Sequence, residues 1–370
     1  MKYIYERKNW PEFYWNERRL AEQVADLRHK QGRLVGRMEG LGFKFRQEAA
    51  LQNLTQDVLK SSEIEGERLD RDQVRSSLAR RLGLDVAGLV ASERNVEGIV
   101  EMMVDATQNY SSPLTNQRFF SWHSALFPTA HSGMTKIRVG KWRDDSSGPM
   151  QVVSGAIGKE RIHYQAPEAA RLAQEMRAFL SWFNGKTPLD PVLKAGIAHL
   201  WFITLHPLDD GNGRIARAIA DMALARSENS SQRFYSMSSQ ICSERKAYYD
   251  ILEATQKGDL DITDWLVWFL GCLGRAFLGA ETILSSVLMK AQFWETHNGE
   301  PFSDRQRKII NRLLDGFDAK LTSSKWAALG SCSQDSASRD IDDLVKREIL
   351  IKNSGGGRST SYSLNSRTSQ

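Results

Sequence analysis

The chain has 370 residues, 41% of them hydrophobic and 26% charged, with a formal net charge of +5. These values are typical of a soluble globular protein, and the length predicts two or three domains. The three cysteines are far apart and odd in number, which excludes a disulfide framework and a cysteine metal site by spacing. The first residues lack the apolar run of a signal peptide, so we expect a cytoplasmic protein.

The N-terminal part of the chain begins with an aromatic cluster formed by Trp10, Phe13, Tyr14 and Trp15. A charged stretch with the pattern of a helix follows, from Glu17 to Arg37. We expect the aromatic side chains to pack onto a helical core or onto a partner subunit. They do not indicate a cofactor site.

The stretch from Gln47 to Lys60 predicts a second helix, because it contains neither Gly nor Pro and spaces apolar residues at helical intervals. Gly66 lies where such a helix would end, and glycine is the usual residue at a helix C-terminal stop. Glu65 is therefore expected just after the end of this helix.

Two short β-prone segments, residues 150–153 and 161–164, are separated by Ser154 to Lys159, which contains two glycines. This pattern predicts a β-hairpin. The alternative is an ordinary connection within a helical protein.

The most informative stretch is the signature segment, residues 206–217, which reads His-Pro-Leu-Asp-Asp-Gly-Asn-Gly-Arg-Ile-Ala-Arg. A helix-forming run continues from it to Ala225, so a glycine-rich loop feeds a helix N-terminus. Unpaired backbone N–H groups and the helix dipole favour an anion there. Arg214 and Arg217 are three residues apart and share one helix face, from which both can reach a polyphosphate.

Two further residues of the signature segment have the chemistry of phosphate transfer. Asp210 can offer an oxygen to Mg²⁺, which binds proteins through one or two carboxylates together with substrate phosphates. His206 has a near-neutral pKa as a residue type and is suited to accept a proton from an attacking hydroxyl. The segment therefore predicts a phosphate-transfer site.

The signature segment resembles the Fic-domain motif, commonly written H-P-F-x-D/E-G-N-G-R-x-x-R. Every polar position matches, and only the phenylalanine is replaced, by Leu208. The resemblance implies transfer of AMP from ATP to a Ser, Thr or Tyr hydroxyl of a protein, with pyrophosphate as the leaving group. Positioning and charge neutralisation are what such a reaction needs most from the protein.

The resemblance also implies a role for each motif residue, with ATP and Mg²⁺ as the required small molecules. These roles are His206 as general base, Asp210 as the Mg²⁺ ligand, Gly211, Asn212 and Gly213 on the α- and β-phosphates, Arg214 on the β-phosphate, and Arg217 on the γ-phosphate.

A second segment, Ser61 to Gly66, matches the inhibitory pattern of the same family, S/T-x-x-x-E-G/N. The resemblance implies that Glu65 pairs with Arg217 and denies it to the γ-phosphate, as in Fic proteins with N-terminal inhibition in cis. The alternative is an ordinary surface carboxylate near a helix end.

The resemblance assigns two further elements. The hairpin corresponds to the family's flap, which offers its backbone to the target by strand addition, with Val152 and Val153 as flap positions. A later helix supplies an aromatic residue to the adenine, and we choose Tyr249, with Tyr248 as the alternative. The apolar run from Trp265 to Leu270 is too short before Arg275 to span a bilayer, so we expect a core helix and no membrane association.

The C-terminal part predicts three helices, Pro301 to Leu314, Ser323 to Leu329 and Ser333 to Arg347, followed by a strand at 349–351, a turn at 354–358 and a strand at 361–364. This order resembles a winged helix-turn-helix module. The third helix would be the recognition helix, with Ser336, Ser338 and Arg339 facing a DNA groove.

The charge of this C-terminal part leaves its role open. Residues 301–370 contain 12 Lys and Arg against 8 Asp and Glu, a net charge of +4, but four of the acids lie in or next to the third helix. Those acids are Asp335, Asp340, Asp342 and Asp343. Since strong nonspecific DNA binding needs a cleaner basic face, DNA binding and a protein-interaction or self-docking role remain equal alternatives.

Taken together, the sequence predicts a mainly α protein, with a Fic helical core, a β-hairpin flap and a C-terminal winged helix-turn-helix. The predicted domains are residues 1–95, containing the inhibitory helix, 96–295, the Fic catalytic core, and 296–370, the winged helix. The predicted function is a protein adenylyltransferase autoinhibited by Glu65. The alternatives are a DNA-binding transcriptional regulator with the Fic core as a nucleotide sensor, and removal of AMP from a modified protein. The expected partners are a hydroxyl-bearing protein (the chain itself included), DNA and a second copy in a homodimer.

Overall fold

The structure, a computed structural model, describes residues 3–40, 42–84, 86, 88–155, 159–314, 320–353 and 360–365. Helices account for 63% of the chain and the strands are few and short, which confirms the predicted mainly α class. The described residues divide into two compact units. One comprises residues 3–40, 50–84 and 90–280, and the other comprises residues 42–49 and 281–365 together with the short stretch near residue 88.

The helices of the described residues lie in the following order along the chain. They are α1 (Glu17–Glu39), α2 (Phe43–Ile64), α3 (Arg71–Arg81), α4 (Arg94–Gln108), α5 (Asn116–Leu126), α6 (Ala169–Asn184), α7 (Pro191–Leu205), α8 (Asn212–Glu228), α9 (Met237–Ser243), α10 (Arg245–Gln256), α11 (Thr263–Thr296), α12 (Asp304–Leu314), α13 (Ser323–Gly330) and α14 (Gln334–Lys346). The strands form three antiparallel pairs: β1 (His131–Ser132) with β2 (Thr135–Lys136), β3 (Gln151–Ser154) with β4 (Arg161–Gln165), and β5 (Leu350–Lys352) with β6 (Tyr362–Leu364).

Helix α7 is the centre of the first unit. It begins with Asp190 as N-cap and Pro191 in its first turn, and most of its residues are buried. Helix α11 packs closely against it at Gly196, where an added Cβ would lie 3.0 Å from a ring carbon of Phe269. The indole of Trp265 donates to the Gly196 carbonyl at 2.9 Å. A small residue on α7 thus lets a second apolar helix approach, and α8 packs along the same helix.

Two residues of the N-terminal aromatic cluster, Trp10 and Phe13, pack onto this core, as expected for the first of its two predicted locations, whereas Tyr14 is 53% exposed. The ring centroids of Trp10 and Phe13 lie 6.2 and 5.8 Å from that of Trp201 on α7, in edge-to-face geometry. A backbone bridge between Tyr14 and Asp261 joins the same segment to the start of α11.

The predicted hairpin is present as β3 and β4, with a register shift between Val152 and Val153. Tyr164 of β4 is buried, and its hydroxyl donates to the Thr204 carbonyl at 2.7 Å, which fixes the hairpin to the end of α7. Residues 156–158, in the middle of the predicted turn with Gly158, lie outside the described residues.

Helix α11 is 34 residues long, and by length and composition alone it could cross a membrane. Half of its most apolar window is buried inside the protein. Its first turns include Trp265, Leu266, Phe269 and Leu270, all buried, as predicted for a core helix.

The second unit contains α12, α13, α14 and the β5–β6 pair, in the predicted order. Its core is apolar and centres on Phe293, Ile310, Trp326 and Leu344. The winged-helix interpretation stays a prediction, and the turn at 354–358 lies outside the described residues.

The first helix of this unit starts three residues later than predicted, at Asp304 rather than Pro301. Hydrogen bonds between Ser303 and Gln306 explain this later start. The Ser303 Oγ accepts from the Gln306 backbone N–H at 3.2 Å, and the Gln306 side chain accepts from the Ser303 N–H at 2.9 Å. This reciprocal capping box ends the nonhelical segment at Ser303.

Candidate active site

The signature segment forms the predicted loop between α7 and α8. His206 ends α7 in the left-handed region, at φ 47°. Gly211 has φ 82° immediately before α8, and an added Cβ there would lie 2.9 Å from a ring carbon of Phe127. Both the conformation and the space require glycine at this position. The loop therefore delivers its backbone directly to the N-terminus of α8.

The Asn212 side chain holds the loop closed. Its Oδ1 accepts from the Leu208 N–H at 3.0 Å, and its Nδ2 donates to the Leu208 carbonyl at 2.8 Å. Leu208 is fully buried, so the apolar position of the signature segment packs into the core. Because the Asn212 amide is engaged with Leu208, this residue can meet a phosphate through its backbone N–H, in the first turn of α8.

Arg217 is almost completely buried, at 2% exposure, and is held by α2. Its Nε donates to the Ser61 Oγ at 2.9 Å, and its Nη2 donates to the Ser61 carbonyl and to Glu65 Oε1, each at 2.8 Å. Burial alone would lower the pKa of this guanidinium, but the charge and hydrogen bond of Glu65, together with the nearby tyrosines, raise the pKa above its ordinary value. Its Nη1 is buried without a hydrogen-bond partner among the described residues.

Arg214 is also buried, and a carboxylate holds it too. Its Nη1 donates to Glu67 Oε2 at 2.9 Å, and its guanidinium lies 5.0 Å above the centre of the Phe127 ring. Its Nε has no partner within the described part of the chain. Glu67 was not assigned from the sequence. The signal available was that Glu67 is an acidic residue only two positions after Glu65, on the other side of Gly66.

The Glu65 carboxylate lies against the first turn of α8. A Cβ added to Gly213 would lie 2.1 Å from Glu65 Oε1, so only glycine leaves room for this contact. Gly66 follows in the left-handed region, at φ 86°, as predicted for the end of α2. The structure thus contains the Glu65–Arg217 ion pair that the inhibitory pattern implies.

His206 is partly buried beside this helix start. Its Nδ1 lies 3.2 Å from the Ile203 carbonyl, so a neutral ring that donates there from Nδ1 keeps Nε2 free to accept a proton. Burial lowers the pKa of the imidazole. Arg143, which sequence reasoning did not assign, is buried and donates from Nε to the His206 carbonyl at 2.8 Å, fixing the loop.

Asp210 directs its carboxylate to the same loop. Its Oδ1 accepts from the Gly211 N–H at 2.6 Å, and its Oδ2 accepts from the Ser132 hydroxyl of β1. One carboxylate next to a phosphate site suits Mg²⁺, which completes its coordination with phosphate oxygens and water. The donor set therefore fits the predicted metal.

The two candidate adenine residues have different surroundings. Tyr248 is 1% exposed and its hydroxyl lies 2.8 Å from His199 Nε2, so it belongs to the core. Tyr249 is 39% exposed, and its hydroxyl lies 3.5 Å from the carbonyl of Ile64, next to Glu65. This placement favours Tyr249, our first choice.

The predicted flap positions lie on β3, where Val153 is exposed and Val152 packs against a small buried cluster of Tyr5, Tyr164 and Ala166. The partner strand β4 is tied to α10, the helix that carries Tyr249. Glu253 of α10 lies 2.6 Å from His163 Nδ1 and 3.1 Å from Arg161 Nη2. Burial would raise the pKa of Glu253, but hydrogen bonds from Lys257, His163 and Arg161 lower it to about 2. Sequence reasoning missed this anchor, which joins residues about 90 positions apart.

Two family models match the chain. Residues 113–224 match the Fic/DOC family, and residues 3–84 match a domain of unknown function (DUF4172). The first match contains the signature segment, helix α7 and most of helix α8. The second contains the aromatic cluster, helix α2 and Glu65, which directly follows that helix.

Several curated relatives are protein adenylyltransferases by name. Protein adenylyltransferase Fic of Aedes aegypti is 27% identical over 258 residues, which is 66% of this chain and 47% of the relative. The protein of the same name from Nematostella vectensis is 31% identical over 124 residues, 32% of this chain and 27% of the relative. The chain thus spans at most about half the length of the curated relatives it matches.

A solved structure of similar fold is that of a Fic family protein from Desulfovibrio desulfuricans. It has a TM-score of 0.53 and 20% sequence identity, and the alignment covers 95% of this chain and 97% of that one. This likeness concerns the fold alone. With the motif geometry and the family match, it leads to one conclusion: the chain contains a Fic domain, and its relatives include proteins named protein adenylyltransferase Fic.

Proposed function

We propose that this chain transfers AMP from ATP to a Ser, Thr or Tyr hydroxyl of a protein, and that Glu65 restrains the reaction. One observation supports this more than any other. The two motif arginines lie buried at a helix N-terminus, each has a buried N–H without a partner among the described residues, and each is held by a carboxylate of the chain itself. Such a site favours a bound anion, and in this structure two carboxylates of the chain, Glu65 and Glu67, pair with its arginines.

The reaction needs a base, and His206 is placed for that role. Its Nε2 accepts the proton of the attacking hydroxyl while Nδ1 stays directed at the Ile203 carbonyl. The hydroxyl oxygen forms a bond to the α-phosphorus, and the bond to the bridging oxygen of pyrophosphate breaks. The N-terminus of α8 with Arg214 and Arg217 neutralises the charge of the phosphates.

Mg²⁺ would be held by Asp210 together with phosphate oxygens, and it would add charge neutralisation to the leaving pyrophosphate. The Ser132 and Gly211 hydrogen bonds orient the two oxygens of this carboxylate. In the flap, the exposed β3 edge at Val152 and Val153 would bind the target backbone as an added strand.

Removal of AMP from a modified protein is a second candidate, because the Glu65 carboxylate lies against Gly213, where a phosphate would bind. In that position it could orient a water molecule at the α-phosphorus. The two directions differ in their dependence on Glu65: AMP transfer rises when Glu65 is removed, whereas AMP removal falls.

The test incubates the Glu65→Gly variant with Mg²⁺ and either α-labelled or γ-labelled ATP, with the chain itself and a heat-inactivated cell extract, in which endogenous kinases are inactive, as acceptors. We expect label on protein from α-labelled ATP only. Label from γ-labelled ATP would indicate phosphoryl transfer and would overturn the proposal. Release of AMP from the labelled product by the wild type, but not by Glu65→Gly, would favour the second candidate.

A further inference from the structure

We propose that Glu67 is a second inhibitory carboxylate, which holds Arg214 as Glu65 holds Arg217. This inference rests on the proposed nucleotide site and assigns it a regulatory contact outside the six-residue inhibitory pattern. A triphosphate that uses both arginines must then displace two ion pairs instead of one.

The contact is direct and is fixed from both sides. Glu67 Oε2 lies 2.9 Å from Arg214 Nη1, and Glu67 Oε1 accepts from Asn95 Nδ2 of α4 at 3.3 Å. The Arg214 side chain is 10% exposed and that of Glu67 is 36% exposed, so the carboxylate reaches inward from the surface.

Arg214 cannot avoid this competition by turning outward. Its guanidinium is stacked over Phe127 at 5.0 Å, and its buried Nε lacks a partner among the described residues. A buried cation with an unpaired donor favours an anion that satisfies it, and Glu67 reaches only the neighbouring Nη1. A phosphate that binds Nη1 as well as Nε therefore has to take the place of Glu67.

One turn delivers both carboxylates. The backbone N–H groups of Gly66 and Glu67 donate to the carbonyls of Glu63 and Ser62, each at 3.0 Å, and Gly66 has φ 86°. This is the hydrogen-bond pattern of a helix C-terminus closed by a left-handed glycine. The turn places Glu65 and Glu67 on the two arginines at the same time, so both pairs stabilise the same closed arrangement.

The same helix end offers a matched control. Glu63 is an acid two residues before Glu65, but it pairs with Lys60 at 2.6 Å and its side chain is 45% exposed. Neutralising Glu63 removes one negative charge from the helix end without touching either arginine. Any effect of total charge alone would appear equally in this variant.

The experiment measures binding of α,β-methylene ATP with Mg²⁺ to the full chain by isothermal titration calorimetry. The variants are Glu63→Gln, Glu65→Gln, Glu67→Gln and the double variant Glu65→Gln/Glu67→Gln. We expect Glu67→Gln to bind about twofold to fivefold more tightly than the wild type, the range for a partly exposed ion pair. Glu63→Gln should leave the affinity unchanged, and the double variant should bind more tightly than Glu65→Gln.

Asn95→Ala is a second variant, in which both arginines and both inhibitory acids stay intact. It removes the side chain that helps to hold Glu67 in place on Arg214. We therefore expect this variant to bind the nucleotide more tightly than the wild type, as Glu67→Gln does. Melting temperatures of all variants separate a structural role, which would lower stability without tightening binding, from an inhibitory one.

The inference is overturned if Glu67→Gln and Glu63→Gln bind equally while Glu65→Gln binds more tightly; the proposed function would then stand. If no variant binds the nucleotide and Glu65→Gly transfers no AMP, the proposed function itself fails. Tighter binding by Glu67→Gln, with Glu63→Gln unchanged, supports Glu67 as an inhibitory residue.

Discussion

Arginines paired with acids occur in both compact units, but the pairs differ in how completely they are satisfied. In the second unit, Arg305 donates to both oxygens of Asp340, at 2.5 and 2.8 Å, and the Trp326 indole donates to the same carboxylate at 3.0 Å. No buried nitrogen of Arg305 lacks a partner among the described residues. At the start of α8, by contrast, Arg214 and Arg217 each have a buried N–H without a partner in the described part of the chain.

The difference separates a structural pair from a binding site. In the Arg–Asp–Trp group both carboxylate oxygens accept hydrogen bonds, and the Arg305 side chain is 33% exposed, so its remaining N–H groups can bind water and the group needs no ligand. The α8 arginines lie where backbone N–H groups and the helix dipole already favour an anion, and their acids leave part of their capacity unused. We therefore expect changes in the first group to affect stability and changes in the second to affect nucleotide binding and transfer.

The largest expected effect is the loss of AMP transfer in His206→Ala, tested in the Glu65→Gly background. A positioned general base contributes about 10² to 10⁴ in rate, so the transfer rate should fall by this factor. Initial rates with α-labelled ATP measure it. His29→Ala, which changes an exposed histidine of α1, is the matched control and should keep the full rate. Retention of activity in His206→Ala would assign the base elsewhere.

We expect disruption of the Arg305–Asp340 pair to lower the stability of the second unit. Asp340→Asn removes the carboxylate that binds Arg305 and Trp326, and we expect a loss of about 2–3 kcal/mol, as for breaking a largely buried ion pair. Calorimetric unfolding of the variant measures this. Asp342→Asn, at an exposed position of the same helix, should change stability little. Equal effects of the two substitutions would contradict the structural role of Asp340.

A smaller effect concerns pH. Burial lowers the pKa of His206, whereas the charges of Glu65 and Asp210 raise it. Removing Glu65 therefore lowers the pKa further, and the neutral, proton-accepting form persists below the ordinary histidine pKa of about 6.5. As the pH is lowered, the rate of AMP transfer by Glu65→Gly should fall to half its maximum at a pH below about 6.5. A midpoint above this pH, in a full pH–rate profile, would contradict this environment for the base.

The smallest expected effect concerns DNA. Because Asp340 is buried and paired with Arg305, it does not contribute to the exposed surface of α14. The exposed charged residues of this helix are three acids, Asp335, Asp342 and Asp343, and two bases, Arg339 and Lys346. Such a mixed surface predicts weak, salt-sensitive binding of the full chain in gel shifts, reduced by Arg339→Ala. Without retardation at low salt, the protein-interaction or self-docking role would be favoured.

The sequence was most informative where short-range rules apply. Helix spacing predicted α2 and its end at Gly66, and the signature segment predicted the loop into α8, because both depend on neighbouring residues. The Glu65–Arg217 contact was implied by a family pattern. Glu67 on Arg214, Arg143 on the His206 carbonyl and Glu253 beneath the flap were missed, since each joins residues about 60 to 150 positions apart. Asp340 looked like a surface acid because burial of one carboxylate depends on packing between helices.

The most direct test of the central claim compares wild type, Glu65→Gly and Glu65→Gly/His206→Ala after incubation with α-labelled ATP and Mg²⁺. The chain and extract proteins serve as acceptors, and the labelled products are identified by intact mass. We expect a gain of one AMP in Glu65→Gly, little in the wild type and none in the double variant. Equal AMP gain in all three, or none in Glu65→Gly, would contradict the central claim.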